Sequence, residues 1–122
     1  MHPDLTGIEF DWFAMDSDGN LALFATAGEG FFPQSVVEHH MNHSSLSESL
    51  SAPQNGTPEV WSDYAALGLY VFDWALPGGP YKLRASPTCL ASPELRREVV
   101  AVPELPRFNG SFAGLGKMAC WP

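Results

Sequence analysis

The chain has 122 residues, of which 45% are hydrophobic and only 16% are charged. This length suits one domain, and the apolar content argues for a packed core and against a disordered chain. The formal net charge is −8, because 14 acidic residues outnumber 6 lysines and arginines. Such a field repels nucleic-acid phosphates and anionic membranes but attracts basic proteins and cations. We therefore expect neither nucleic acid nor a membrane as partner. The acidic surface either attracts a basic protein or serves only to keep the protein soluble.

Two features of the sequence favour a cytoplasmic protein. It contains no apolar run of the ~18 residues that indicate a membrane span. Residues 1–4 lack the basic stretch, followed by an apolar one, that opens a signal peptide. Cys89 and Cys120 are the two cysteines, and in an unexported chain we expect them to be free thiols.

The first predicted element is an antiparallel β-hairpin. Residues 8–15 and 21–26 are two apolar runs with strand character, and Asp18-Gly19-Asn20 lies between them. Asp-Gly favours a tight turn because Gly adopts positive φ without a Cβ clash. A calcium loop is the alternative, but counting from Asp16 the twelfth residue is Ala27, where an EF-hand needs Glu. The acidic segment therefore predicts turn chemistry.

The register of this hairpin has two solutions. A two-residue turn pairs Phe13 with Phe24, whereas a three-residue loop with a bulge at Gly19 pairs Trp12 with Phe24. A slip of one residue exchanges the two faces of a strand, so the register decides which aromatic side chains enter the core. The bulge is favoured, since Gly at the third loop position is a common pattern.

The glycine-rich segment after the hairpin is the predicted binding surface. Two glycines interrupt the strand, and Pro33 starts a new direction. Aromatic side chains in excess of those that the core needs would form an exposed patch there, and such patches mark binding sites. The candidate surface consists of Gly28, Glu29, Gly30, Phe31 and Phe32.

A short helix is predicted over residues 34–43. On it His39 and His43, four residues apart, point the same way and form a candidate zinc pair, although a closed site takes further ligands. The alternative is a solvated helix face with His40 turned inward. Residues 44–56 are rich in Ser and predict an exposed, mobile loop or a fraying helix end.

The later elements are predicted from capping and turn residues. Thr57-Pro58-Glu59 has an N-cap residue, a proline and an acid in the order typical of a helix start. Ser92-Pro93-Glu94 has the same order and predicts a second helix start. A second hairpin is expected from strand residues 69–74 and 81–85 around Pro77-Gly78-Gly79-Pro80, and an edge strand over residues 108–112. The tripeptide Phe-Asp-Trp occurs at residues 10–12 and 72–74, in both cases in a predicted strand. Three residues are too few to indicate a duplication.

Catalytic and cofactor motifs do not emerge from the sequence. The Gly-x-Ser-x-Gly pattern and the Walker pattern are absent, and residues 28–33 do not satisfy Gly-x-Gly-x-x-Gly because Pro occupies the last position. We expect no cofactor, and a binding protein more than an enzyme. An active site assembled only in three dimensions is the alternative.

One pattern carries a family resemblance. It runs Asp11-Trp12, Asp16-x-Asp18-Gly19-x-x-Ala22-x-Phe24 and Gly28-x-Gly30-x-x-Pro33, and continues in the Gly-Leu-Tyr-Val-Phe-Asp-Trp stretch at residues 68–74. This resembles the opening signature of a family of small uncharacterised bacterial proteins. Some small acidic proteins of similar build are immunity proteins, which neutralise toxins. The resemblance implies protein binding and brings no catalytic residues.

Together these observations predict one α+β domain over residues 1–122. We expect a mainly antiparallel sheet of about four to six strands, with two or three short helices on one face. The leading functional hypothesis is a non-enzymatic protein-binding module of immunity type, whose acidic surface covers a basic toxin. The alternative is a small-ligand or metal-binding protein with a pocket near residues 28–43.

Overall fold

The computed structural model describes residues 7–54, 56–74 and 79–121. Residues 1–4 at the N-terminus, Asn55 of the predicted loop and Pro77-Gly78 of the second turn lie outside the described residues. The elements of the described part, in chain order, are β1 (Asp11–Met15), β2 (Leu21–Ala25), α1 (Gln34–Glu38), α2 (His40–Ser49), α3 (Val60–Ala66), β3 (Leu69–Asp73), β4 (Tyr81–Ala85), α4 (Pro93–Val100) and β5 (Lys117–Met118).

The strands form one five-stranded sheet in the order β1-β2-β3-β4-β5. The β2–β3 pair is parallel, and the other three pairs are antiparallel. The parallel pair requires a crossover, which α1, α2 and α3 provide between β2 and β3. The predicted α+β architecture with a mainly antiparallel sheet is confirmed. None of the helices in the described ranges is long and apolar enough to cross a membrane.

The first hairpin adopts the bulge register. Trp12 is the register partner of Phe24, and Gly19 has a φ of 83°, which confirms the three-residue loop. The Asp16 carboxylate holds the turn: Oδ1 accepts hydrogen bonds from the backbone N–H groups of Asp18 (2.9 Å) and Asn20 (2.8 Å). Its Oδ2 accepts one from the N–H of Phe112 at 2.8 Å. The acidic segment thus has the predicted turn role.

Both faces of the sheet are buried, so the register does not decide whether Trp12 or Phe13 reaches a core; it decides which core each one enters. Three helices cover the first face, whose core includes Phe13, Leu23, Leu46, Val60, Val71 and Val99. The second face, which we call the aromatic face, is covered by α1 and by chain segments without regular structure. Its core includes Trp12, Phe24, Val36, Phe72, Tyr81 and Phe112.

Three local predictions differ from the structure, the first two in where the helices begin and end. The helix predicted over residues 34–43 breaks at His39, which has a φ of −122°, and a new helix continues to Ser49. Residues 44–49 are therefore helical, and the irregular segment starts at Leu50. Residues 108–112 form no strand; Phe108 instead stacks on Phe112 with ring centroids 5.4 Å apart, and the last strand is β5.

The capping prediction for α4 is confirmed. Ser92 precedes the helix, and its Oγ accepts a hydrogen bond from the N–H of Leu95 at 3.0 Å. The Thr57 segment forms a turn before α3, which begins at Val60, three residues after the predicted cap. The cysteine prediction also holds, because Cys89 and Cys120 are both free and exposed.

Candidate functional site

A cleft of about 920 Å³ opens on the helix-covered face of the sheet, where β1 begins and β2 and β3 end. Its volume lies in the range of small-ligand pockets. Helices α2 and α3 and the turn before α3 form its outer wall, and the sheet forms its floor. Its lining includes Asp11, Ser47, Trp61, Tyr64, Asp73 and Arg84.

Strand pairing places two carboxylates on the floor of this cleft. Ala25 of β2 is the register partner of Asp11 on β1 and also of Asp73 on β3. Register partners direct their side chains to the same face of a sheet, and adjacent strands lie ~4.8 Å apart, so the two aspartates flank Ala25 with Cα atoms about 10 Å apart. Because Ala25 has only a methyl group, the space between them stays open.

Each aspartate has one polar partner on another element. The Ser47 hydroxyl on α2 donates a hydrogen bond of 2.6 Å to Oδ2 of Asp11. On the opposite side, Nε of Arg84 on β4 lies 3.7 Å from Oδ2 of Asp73. This ion pair is loose, since the Arg84 side chain is 39% exposed and the separation exceeds hydrogen-bond length.

The electrostatics of the cleft disfavour further negative charge. Burial raises the pKa of Asp11; the Ser47 hydrogen bond opposes this, and the charge of Asp73 adds to it. Burial likewise raises the pKa of Asp73, and Arg84 opposes that rise. The pKa of Tyr64 is raised by burial and by the nearby carboxylates, of which Asp11 has the larger effect. A cation bound beside these groups would favour their charged forms and lower all three pKa values.

The composition of the wall is also that of a cation site. Among the described lining residues, four are acidic, namely Glu9, Asp11, Glu48 and Asp73, and Arg84 is the basic one. Trp61 and Tyr64 supply aromatic surface. Aromatic faces attract cations through the ring quadrupole. The arrangement therefore suits a ligand with a positive group and an apolar stem.

The predicted surface at residues 28–32 contributes mainly to the aromatic face. Gly30 is buried, and a Cβ there would overlap the phenol of Tyr81. The Tyr81 hydroxyl donates to the carbonyl of Phe31 at 2.7 Å. The Phe32 ring packs edge-on against Phe10 at 5.2 Å, and Glu29 is exposed. Close packing accounts for both the glycine and the aromatic rings.

The two predicted zinc ligands, His39 and His43, have different partners. His43 is fully buried, and its Nδ1 accepts a hydrogen bond of 3.0 Å from the N–H of Phe13 at the open edge of β1. Burial, with smaller effects of His39 and His40, lowers its pKa to about 4. His43, not His40, is therefore the inward histidine. His39 is at the surface, with Nε2 3.5 Å from Oε2 of Glu104.

His39 belongs to a different group of metal-type ligands. Ligand atoms of Glu38, His39 and Glu104 all lie within 4.8 Å of one another. Glu38 is exposed, and Glu104 is 64% exposed by its side chain. A histidine with two carboxylates is a donor set that suits zinc and other divalent transition metals.

Sequence reasoning missed the cleft, although one signal of it was visible. Asp11 and Asp73 are the central residues of the two Phe-Asp-Trp strings. In both strings the aspartate points into the cleft, and the flanking aromatic rings of Trp12 and Phe72 pack in the aromatic face. The repeat therefore corresponds to equivalent positions on either side of Ala25. Ser47 and Trp61 had no comparable signal.

Comparison of the chain with protein-family models, with curated proteins and with solved structures finds no match to any of them. The resemblance drawn from the sequence thus stays a prediction. Function must therefore be inferred from the cleft and from the charge of the chain.

Proposed function

We propose that the protein is a non-enzymatic binding module that captures a basic partner protein through the acidic cleft. The observation that carries the proposal is the excess of carboxylates in that cleft, four against one guanidinium among its described lining residues. The specific form of the proposal is an immunity protein that covers the basic active site of a toxin such as a nuclease.

Long-range and local charge support the same partner. The net charge of −8 steers a basic protein towards the molecule and raises its association rate, an effect that salt weakens. At the cleft the carboxylates are partly desolvated, and pairing them with a cation restores the favourable interactions that burial removes. Steering and local pairing thus favour the same class of protein.

The test is capture of a basic partner by a bait with and without the cleft charges. Wild-type protein is incubated with extract of the native host and with the product of the neighbouring gene. The cleft variant combines Asp11→Asn with Asp73→Asn. The control variant combines Asp18→Asn with Glu98→Gln, which removes the same charge at two exposed positions.

We expect wild type and control to retain a basic protein at low salt and to release it as salt rises, and the cleft variant to retain much less. Recovery of no basic partner at any salt concentration contradicts the proposal. Equal retention by the cleft variant contradicts the assignment to this cleft.

A second candidate function is binding of a divalent metal by Glu38, His39 and Glu104, and the mutual approach of their ligand atoms within 4.8 Å favours it. Protein purified without an affinity tag is titrated with Zn²⁺, and its unfolding is followed by heating. At a free metal concentration of 100 Kd we expect about 2.7 kcal/mol of stabilisation. His39→Ala abolishes this gain, and the control His40→Ala keeps it. Absence of both bound zinc and stabilisation removes this candidate.

A further inference from the structure

We propose that the cation taken by the acidic cleft is a guanidinium, supplied by an arginine side chain of the partner that inserts between Asp11 and Asp73. This inference rests on the proposed function and adds the chemical class of the group that is bound. The placement of the two carboxylates on separate strands, their polar partners and the aromatic wall support it.

The two carboxylates lie on strands that are not neighbours, and this placement favours a ligand that donates hydrogen bonds in several directions. An ammonium hydrogen-bonds to two carboxylates only when their oxygens lie within about 5.6 Å, twice the ~2.8 Å of a charge-assisted hydrogen bond. Asp11 and Asp73 lie on strands separated by β2, so their Cα atoms are about 10 Å apart. A guanidinium donates from two edges of a plane and spans roughly 8 Å between acceptor oxygens.

Each of the two aspartates has a polar partner on another element. Ser47 holds Asp11 from α2, which packs against β1, at one side of the cleft. Arg84 attracts Asp73 from β4, at the opposite side. Each carboxylate thus keeps one polar partner of its own, and Ala25 between them has only a methyl side chain. A ligand that contacts both carboxylates from the cleft favours the planar fork of arginine, with its five donors, over the point charge of lysine.

The wall next to the gap suits the same side chain. Trp61 and Tyr64 of α3 line the cleft beside the sheet floor. A guanidinium stacks on aromatic faces and is more weakly hydrated than an ammonium, so it loses less on entering a partly dry cleft. The apolar stem of arginine can cover the exposed part of the tryptophan while the head reaches the floor.

The test uses three short Gly/Ser peptides with one central residue: arginine, lysine or citrulline. Citrulline has nearly the shape of arginine but carries no charge. Binding to isotope-labelled protein is followed by NMR chemical-shift changes of the Trp61 indole N–H and of the Ala25 and Asp73 amides. The variants are Asp73→Asn and Asp11→Asn, and the control is Asp18→Asn, an exposed turn residue with the same change of charge.

We expect the arginine peptide to bind about tenfold more tightly than the lysine peptide, and the citrulline peptide not to bind measurably. Each cleft variant weakens arginine binding about tenfold, whereas Asp18→Asn leaves it unchanged. Unchanged amide shifts outside the cleft establish that a variant is folded. Because two cleft variants are used, the test still works if one of them does not fold.

Equal binding of arginine and lysine peptides overturns the guanidinium assignment but leaves the basic-partner proposal intact. Equal binding of the citrulline peptide overturns both the charge argument and the assignment. If no peptide binds while the cleft-dependent capture of a basic protein succeeds, the single-arginine proposal alone fails. If that capture fails too, the proposed function fails with it.

Discussion

The substitution His43→Asn tests how α2 is fixed to the edge of the sheet. The Nδ1 atom of His43 accepts the N–H of Phe13, a backbone group that no strand pairs with. Protonated Nδ1 cannot accept this hydrogen bond, so the fold requires neutral imidazole. Asparagine places its side-chain oxygen near the position of Nδ1 and keeps the acceptor, but it cannot titrate.

The magnitude follows from proton linkage. The pKa of His43 is about 4 in the folded protein and 6.5 in the reference state, so the unfolded chain binds the extra proton as pH falls. Stability therefore decreases as pH is lowered from about 6.5 towards 4. The loss amounts to about 2 kcal/mol between about pH 7 and about pH 5, and to roughly 3 kcal/mol at the lower limit.

Other groups titrate in the opposite sense, so the comparison must be between proteins. The raised pKa values of Asp11 and Asp73 contribute stability at low pH that is lost as pH rises through those values. These contributions are common to wild type and variant and cancel in the difference. At about pH 7 the variant is less stable by about 2 kcal/mol, because it fills the buried ring position poorly.

The assay is urea unfolding followed by tryptophan fluorescence at several pH values. We expect the stability difference between wild type and His43→Asn to shrink from about 2 kcal/mol at about pH 7 to near zero at about pH 5. The control, His40→Asn, makes the same exchange at a half-buried position of the same helix. A difference that is constant with pH refutes the assignment of His43 as a neutral, buried acceptor.

Three further substitutions test the packing at Gly30, the turn held by Asp16 and the interaction between the two cleft carboxylates. Gly30→Ala should lower the free energy of unfolding by about 3 kcal/mol, because its Cβ overlaps the phenol of Tyr81. Asp16→Ala should cost about 3 kcal/mol, since it removes a buried acceptor of hydrogen bonds from backbone N–H groups. Asp73→Asn should lower the pKa of Asp11, measured by NMR titration of its carboxyl carbon, because the charge of Asp73 raises it.

The matched controls for these predictions are exposed or open positions. Gly116 has open space where a Cβ would lie, so Gly116→Ala should change stability by less than about 0.5 kcal/mol. Asp18→Ala should be similarly mild, since its side chain is exposed. If Gly30→Ala changed stability no more than Gly116→Ala does, the packing argument would be contradicted. If Asp16→Ala changed it no more than Asp18→Ala does, the turn argument would be contradicted. An unchanged pKa of Asp11 would show that the two cleft carboxylates do not interact.

The elements that the sequence predicted correctly depend on neighbours in the chain. The position of Gly19 favoured the bulge register that the structure adopts, and the start of α4 followed from Ser92. A positive φ or an N-cap is decided within about four residues, so a short stretch of sequence contains all the relevant atoms. The alternation of strand residues identified the hairpins for the same reason.

The sequence predictions failed where contacts between distant segments of the chain determine the local structure. The break at His39 shifts the phase of the helix, and it is His43 that reaches β1. Residues 44–49 have no strong helical periodicity of their own, but packing of Leu46 in the core and the bond from Ser47 to Asp11 favour the helix. Local propensity is too weak to outweigh such tertiary contacts.

By itself the sequence determined the α+β class, the position of the first turn and the acidic character that suits a basic partner, and it favoured one of two hairpin registers. Only the tertiary structure decided where that character is concentrated. Asp11 and Asp73 become neighbours because β2 pairs with β1 on one side and, in parallel, with β3 on the other. Such pairing depends on crossover geometry and on burial of both faces, which no local pattern of residues specifies.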